Sequence, residues 1–474
     1  MKLYSLLKNI KCRVVGNSVV EIKGLYHNDT EVKEGGLFFC LRGTRVDGVN
    51  FVKSAIKNGA VAIVVESEIA NLSGVCQVVV KDAREAMSRL ACKFFGDPAS
   101  KLKIIGVTGT NGKTTITNML KTVLDYAGHT SAVVGTNGVY FKGFKYDTGM
   151  TTPDPIELQR YFAMMVKHKV EYVCMEVSAH AIDLKKLCGV SFVACIFTNL
   201  TEDHLDYFKT MDNYFEAKSK IFARPYTNFA VVCGDDLYGQ KLAQRINIPF
   251  CTYAINNQAD YVADDLCMVG AGQNFVVRNT DFKINMAGKF NVLNALSVVA
   301  VLSNLGFDMV TISKGLEMMT GVEGRFNAFN IDEKLVVVDY AHTPDGLKNV
   351  LQACREIVIN KKLFCVFGCG GNREKEKRSV MGKIASSLAD FSVITTDNPR
   401  YEKREDIARD IEMGFENKNY VIELDRSKAI KFAIESAGAG DVVLIAGKGA
   451  EKYIDENGIK IPYCDLVEVE KYRR

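Results

Sequence analysis

Ile104-Ile105-Gly106-Val107-Thr108-Gly109-Thr110-Asn111-Gly112-Lys113-Thr114-Thr115 is an apolar run that breaks into a glycine-rich turn and ends in Lys-Thr-Thr. Such a run reads as a buried strand delivering the start of a helix, and the turn has the chemistry of a triphosphate cradle. Gly109 and Gly112 let successive backbone N–H groups converge on phosphate oxygens, Lys113 neutralises charge, and the Thr114 hydroxyl can reach a magnesium ion. Val107 stands where a strict phosphate loop has glycine, so this is a shorter variant. The stretch from Gly109 and Thr110 through Asn111, Gly112, Lys113, Thr114 and Thr115 is therefore expected to bind nucleotide, with ATP and Mg2+ as cofactors. An ordinary strand-to-helix turn is the bland alternative.

Outward from that loop, apolar segments at 104–107, 171–175, 192–197 and 229–233 alternate with helical patterns, which predicts a mainly parallel sheet covered on both faces. Residues 1–98 mix short strands with turn signals and end at Gly96-Asp97-Pro98. After Gly321-Val322-Glu323-Gly324-Arg325, which reads as a hinge, strands restart at 335–339, 363–367, 391–395 and 441–445. The expectation is an α/β protein of three domains. These are an N-terminal α/β domain over 1–98, a central P-loop domain over 99–324 and a C-terminal Rossmann-like domain over 325–474. Polar clusters repeatedly follow strands, at Glu176-Val177-Ser178, Asn199–Asp206, Asp397–Arg400 and Gly447–Glu451. Ligands of open α/β sheets bind beyond the carboxyl ends of strands, so these clusters are expected to line a shared cleft.

With 474 residues, 60 Lys plus Arg against 56 Asp plus Glu, and a net charge of +4, the chain has no basic block that would mark a nucleic-acid surface. Its 14 cysteines show neither a disulfide framework nor a CxxC zinc spacing. No apolar run approaches a membrane span. A cytoplasmic protein without membrane insertion is expected, and a monomer.

Two polar residues sit where an apolar pattern makes them costly, and a third stands among carboxylates after a buried strand. Glu176 ends the run Tyr172-Val173-Cys174-Met175, and a carboxylate there calls for a cation such as the magnesium held by Thr114, unless it simply ends a strand at the surface. His204 lies among carboxylates in Asn199-Leu200-Thr201-Glu202-Asp203-His204-Leu205-Asp206 as a metal or acid-base candidate. Lys218, on a helix expected over 212–223, shares a stripe with Tyr214, Phe215, Ile221 and Phe222. Burial lowers a lysine pKa, and a neutral amine can take up carbon dioxide to become a carbamate able to bind a second metal. The alternative is a packed stem with an ammonium that snorkels outward.

The order of Gly-Thr-Asn-Gly-Lys-Thr-Thr (109–115), Thr-Thr-Pro-Asp-Pro (151–155), Met-Glu-Val-Ser-Ala-His (175–180), Thr-Asn-Leu-Thr-Glu-Asp-His-Leu-Asp (198–206), Tyr-Phe-Glu-Ala-Lys (214–218), Gly-Lys-Phe-Asn-Val-Leu-Asn-Ala (288–295) and Asp-Tyr-Ala-His-Thr-Pro-Asp (339–345) resembles the Mur ligase family over essentially the whole chain. The resemblance implies ATP-dependent amide ligation in peptidoglycan synthesis. The central domain would bind ATP, the N-terminal domain a UDP-sugar-peptide, and the C-terminal domain the incoming amino acid. Carried over by position, Lys113, Glu176, His204 and Lys218 would be catalytic. Thr114 and Glu176 would hold one magnesium, His204 and carbamylated Lys218 a second, and Asn291, Arg325 and His342 would lie near the nucleotide.

Asp397-Asn398-Pro399-Arg400 resembles the motif of family members that add meso-diaminopimelate, with Arg373, Gly447 and Glu451 at matching places. Diaminopimelate ends in a zwitterion. Its carboxylate suits the planar fork of Arg400 or Arg373 and its ammonium suits Glu451, whereas lysine lacks the distal carboxylate. The expected reaction joins meso-diaminopimelate to UDP-N-acetylmuramoyl-L-alanyl-D-glutamate through an acyl phosphate. Asp29, Thr30, Thr151, Thr152, Ser178 and Lys186 would fall on the UDP-peptide side. The chain departs from the family at Asn28-Asp29-Thr30, Met150, Leu184, Lys186 and Ala450. L-lysine, a divergent acceptor, or a nucleotide-binding protein that has lost catalysis are the alternatives.

Overall fold

The computed structural model describes residues 1–43, 46–269, 272–358 and 360–473. The fold is α/β, and its chain divides into two compact units. One comprises Met1–Gly106, His129–Cys195 and Lys220–Phe229, and the other Val107–Gly128, Ile196–Ser219 and Ala230–Arg474.

In the first unit a five-stranded sheet runs in the order Cys12–Val15, Cys76–Val80, Ala60–Val65, Gly36–Phe39 and Gly24–Tyr26. Only the first pair is antiparallel. Period-2 alternation sends Leu37, Phe39, Ala62 and Val64 into one apolar cluster and Phe38, Ile63 and Val65 into another, so both faces are covered. The same unit holds Tyr172–Glu176 parallel to Ser131–Gly135, followed by an antiparallel meander through Gly138–Phe141 and Phe144–Tyr146.

The second unit carries Ala230–Cys233 parallel to Phe250–Ala254, and a separate antiparallel three-stranded sheet over Asp264–Val269, Gly272–Val277 and Thr280–Ile284. Helix Lys113–Tyr126 buries Ile116, Met119, Leu120, Val123 and Leu124, the spacing of a single helical face. Helix Lys289–Asn304 is buried nearly all round, from Val292 to Leu302. Lys218 lies on helix Met211–Ser219, which stops four residues short of the expected end. The Ser219 hydroxyl bonds back to the Phe215 carbonyl at 2.8 Å, the local competition that disfavours helix continuation. Ile221 and Phe222 are buried nonetheless.

The last sheet, also in the second unit, has the order Asn327–Ile331, Lys334–Asp339, Val442–Ala446, Leu363–Phe367, Phe391–Ile394 and Tyr420–Ile422. Its first pair is antiparallel and the rest are parallel. Val337, Cys365 and Leu444 face one cluster, and Val336, Phe364 and Val443 the other. The parallel strands therefore end together, and the loops at 340–343, 368–374, 395–400 and 447–451 leave the same edge. A fully buried ion pair braces that edge: Arg426 Nε and Nη2 each lie 2.7 Å from Asp465, while Nη1 and Nη2 donate to the carbonyls of Thr396 and Ala446. Among the described residues, no helix is long and apolar enough to cross a membrane.

Candidate active site

The glycine-rich loop follows strand Lys103–Thr108, and its glycines are dictated by space. Gly109 has φ +147°, and a Cβ there would lie 1.9 Å from Thr198 Oγ1; Gly112 has φ +89°, and its Cβ would lie 2.5 Å from Asn294 Oδ1. The loop is held by Thr198 and Asn199. Thr110 N donates to Asn199 O, Asn111 N to Asn199 Oδ1, and Thr198 Oγ1 to Asn111 O. Helix Lys113–Tyr126 then aims its N-terminal dipole and first N–H groups past Thr114 and Thr115.

Two lysines converge on one carbonyl. Lys113 Nζ donates to Gly109 O at 2.9 Å and Thr110 O at 2.8 Å, and Lys218 Nζ donates to Gly109 O at 2.8 Å. Lys218 is only 1% exposed, which decides between the two readings of its stripe: the amine itself is buried. Burial, with Lys113 beside it, holds that amine well below the ordinary lysine range. His204, with φ +57°, places Nε2 3.4 Å from Asp203 Oδ2. Burial would raise the Asp203 carboxyl, but His204, His342, Lys377 and Lys113 hold it below the ordinary range. Burial pushes His342 down, and its Nδ1 sits 2.8 Å from Tyr340 O.

Arg325 reaches Thr114, donating from Nη2 to Oγ1 at 3.2 Å, with its guanidinium 4.5 Å from the Tyr340 ring. Asn291 is fully buried and spends its amide on Ala287 O and Asn294, so the Asn291–Asn294 pair backs Gly112. Sequence reasoning missed Asn294, and also Asp345, whose Oδ2 accepts from Asn111 Nδ2 at 3.1 Å. It missed Glu374 as well, which accepts from Leu205 N and from Asp206 N at 3.1 Å and so caps the short turn that follows His204. The spacing in Gly288–Ala295 carried a signal for Asn294; the other two lie far along the chain from their partners.

At the edge of the last sheet, Asp397, Asn398, Pro399 and Arg400 come together with Gly447 and Glu451. A Cβ on Gly447 would lie 2.6 Å from Asp397 Oδ2. Burial opposes ionisation of Asp397, but Lys448 and Arg426 hold its carboxyl below the ordinary range. Asn398 Nδ2 donates to Glu451 Oε2 at 2.8 Å, and Arg400 Nη1 to Gly371 O at 2.8 Å. Arg373 Nη1 lies 3.3 Å from Asp206 Oδ2 and is half-exposed. Lys448, fully buried between Asn398 and Glu451, had not been singled out.

In the first unit Glu176 is 1% exposed; its Oε1 accepts from Thr136 N at 2.8 Å and its Oε2 from Thr136 Oγ1 at 3.0 Å. A Cβ on Gly135 would lie 2.2 Å from Oε1, so Gly135 and Thr136 shape the place of this carboxylate. Thr136 Oγ1 lies 3.1 Å from Thr151 Oγ1, Thr152 Oγ1 donates to Glu176 O, and Ser178 N donates to Thr152 Oγ1. Lys186 Nζ is 2.8 Å from Asp154 Oδ1, against Met150 Sδ. Asp29 and Thr30 lie on the turn Asp29–Glu31, capped by Asn28, just beyond His27, whose Nε2 is 3.7 Å from Asp154 Oδ2.

Among the described residues no group of three or more His, Cys, Asp and Glu side chains forms a metal cage. The donors fit magnesium of another kind, which takes one or two carboxylates and completes its shell with phosphate oxygens and water. The buried carboxylate of Glu176, bonded to neutral donors, is the observation that matches it.

Residues 107–302 match the Mur ligase middle domain, residues 324–449 the Mur ligase glutamate ligase domain, and residues 21–95 the Mur ligase family catalytic domain. The chain belongs to the Mur ligase family. Within that family it is 41% identical over 461 residues to a UDP-N-acetylmuramoyl-L-alanyl-D-glutamate--2,6-diaminopimelate ligase of Clostridium acetobutylicum, covering 96% of this chain and 95% of the relative. A ligase of the same name from Halalkalibacterium halodurans is 40% identical, with 98% of both chains covered. A solved structure of a ligase of that name superposes with TM-score 0.69 at 32% identity, covering 100% of this chain and 98% of its own. The Mur ligase MurF of Thermotoga maritima, solved with ADP, shares the fold with TM-score 0.65 at 22% identity over 90% of this chain and 94% of its own.

Proposed function

We propose that this Mur ligase adds meso-2,6-diaminopimelate to UDP-N-acetylmuramoyl-L-alanyl-D-glutamate at the expense of ATP, in peptidoglycan synthesis. The observation that carries the reading is full-length similarity, at about two residues in five, to ligases named for that reaction. The geometry supports it, because a glycine-rich loop follows a strand, two lysines from helices converge on its Gly109 carbonyl, and Arg400 and Glu451 leave one edge of the last sheet. Residues 1–98, 99–324 and 325–474 are taken as the UDP-peptide, ATP and amino-acid domains of a monomer.

A carboxylate does not react with an amine in water, because its leaving group would be oxide. Transfer of the ATP γ-phosphoryl to the D-glutamate γ-carboxylate forms an acyl phosphate and releases ADP. The amine of diaminopimelate then attacks the acyl carbon, the C–O bond to phosphate breaks, and the ammonium proton leaves as the amide forms. Thr114 and Glu176 would hold one magnesium, and His204 with carbamylated Lys218 a second, and the metal would supply Lewis-acid dispersal of phosphoryl charge. Gly109–Thr115 cradles the phosphates, with Lys113 turning from its loop carbonyls to the γ-phosphoryl. Arg325 orients the Thr114 hydroxyl, and the paired asparagines behind Gly112 keep the loop rigid. Asp29, Thr30, Thr151, Thr152, Ser178 and Lys186 orient the UDP-peptide. The Gly321–Arg325 hinge lets the last domain exclude water, which would otherwise consume the acyl phosphate.

Phosphate release over a panel of amino acids and acceptors tests the reading. Turnover confined to meso-diaminopimelate with the UDP-dipeptide is expected. Turnover with L-lysine alone, or with neither, would overturn it. Arg400→Ala is expected to weaken diaminopimelate use by about 1.5–3 kcal/mol, the range for a hydrogen bond to a charged group. An unchanged kcat/KM for diaminopimelate would remove Arg400 from the pocket.

A further inference from the structure

We propose that Lys448 is a positioning residue that sets the donor and acceptor pattern of the amino-acid pocket, and with it the preference for a zwitterionic over a purely cationic side-chain terminus. The inference rests on the placement of diaminopimelate at this strand edge given above.

Lys448 follows strand Val442–Ala446 between Gly447, at φ +117°, and Gly449, at φ +52°. Both glycines are required where they stand. A Cβ on Gly447 would meet Asp397 Oδ2 at 2.6 Å, and one on Gly449 would meet Gly324 O at 2.5 Å. This doubly left-handed turn points the lysine inward, and its side chain is fully buried. A buried ammonium is retained only with partners, and here they are specific. Nζ lies 3.1 Å from Asn398 Oδ1 and 2.5 Å from Glu451 Oε2.

The consequence is an amide with one orientation. Asn398 Oδ1 accepts from Lys448 Nζ and also from Asp455 N at 2.8 Å, so two donors converge on the oxygen end. The nitrogen end must then face Glu451, where Nδ2 donates to Oε2 at 2.8 Å. Glu451 thus has Oε2 engaged by two donors, and the Tyr453 hydroxyl bonds the same carboxylate, whose remaining lone pairs are the acceptor for an incoming ammonium. Lys448 also sets the charge. Asp397, Glu451 and Asp455 place three carboxylates around this edge; Arg426, bonded to Asp465, and Lys448 both act on Asp397, and Arg400 Nε lies 4.0 Å from Asp455 Oδ2. With Lys448 present the pocket can accept a terminus that carries both signs. Without it the field becomes more negative, which repels the distal carboxylate of a zwitterion and favours the bare ammonium of lysine.

The test is the ratio of kcat/KM for meso-diaminopimelate to that for L-lysine in the full-length enzyme, with the KM for ATP measured alongside. Lys448→Met keeps length and removes charge. It is expected to lower the ratio by about 10- to 150-fold, the range for a lost charged hydrogen bond, while the KM for ATP stays within about twofold. Lys448→Arg is expected to keep more of the ratio than Lys448→Met. If Lys448→Met does not fold, Lys448→Gln carries the same comparison, since its amide donates without charge. An unchanged ratio in a folded neutral variant, with both substrates losing kcat in parallel, would overturn the positioning role and leave Lys448 a structural brace. A wild-type enzyme that does not prefer diaminopimelate would instead overturn the placement of that substrate, and this inference with it.

Discussion

Replacing Lys218 with Ala is expected to lower ATP turnover by about 100- to 1000-fold, equivalent to about 2.7–4 kcal/mol, the range for removing one group that stabilises charge in the transition state. Phosphate release at saturating substrates measures it. The amine is 1% exposed, sits 2.8 Å from the Gly109 carbonyl, and is held well below the ordinary lysine range by burial and then by Lys113. A neutral amine can bond to the carbon of carbon dioxide and lose a proton, leaving a carbamate anion. A small carboxylic acid added to Lys218→Ala is therefore expected to restore part of the turnover, and wild-type turnover is expected to fall in buffers stripped of carbon dioxide. The sign of the pH dependence follows from the downward shift. Above the lowered pKa the amine is neutral and can react. Below it the amine is protonated and the carbamate is lost, so turnover declines on the acid side. Full activity in Lys218→Ala would end the role. A loss confined to ATP affinity would assign Lys218 to bracing the loop.

Replacing Arg426 with Met is expected to destabilise the chain by about 3–5 kcal/mol, because it strands a buried carboxylate without its partner. Urea unfolding of the full chain measures the loss. Both side chains of the Arg426–Asp465 pair are 0% exposed, and burial would lower the guanidinium pKa, yet Asp465 raises it. The double replacement Arg426→Met with Asp465→Leu is expected to recover most of the loss, since a well-packed apolar pair substitutes for a buried ion pair at little cost. Arg426 also holds the carbonyls of Thr396 and Ala446, which precede Asp397 and Gly447, so the single variant should raise the KM for the amino acid as well. A single variant as stable as the wild type would show that the carboxylate finds another partner.

Much of the fold was legible because its signals are local. The glycine-rich loop announced itself through residues that tolerate positive φ, and the strands of the parallel sheets through unbroken apolar runs. The stripe of Lys218 with Tyr214, Phe215, Ile221 and Phe222 reads as one face of a helix over 212–223, and all five are buried even though the helix ends at Ser219. The meander over 138–146 and the small sheet over 264–284 left weaker traces, since their strands are short and partly exposed. The candidate site was legible where a motif kept its members close in sequence. It was opaque where one member came from afar. Asn111 meets Asp345 across 234 positions, and Leu205 meets Glu374 across 169.

Residue chemistry by itself determined that a strand delivers a phosphate-type loop to a helix start, that Glu176 and Lys218 occupy apolar settings, and that arginine and carboxylate recur near strand ends. These are properties of a few consecutive residues, whose backbone preferences and burial periodicity act over three or four positions. Only the tertiary structure decided which atoms those groups meet: two lysines on the Gly109 carbonyl, Thr136 on Glu176, and Lys448 between Asn398 and Glu451. Hydrogen bonds and ion pairs depend on separations of about 3 Å, and chain distance does not encode such separations until the sheets have assembled.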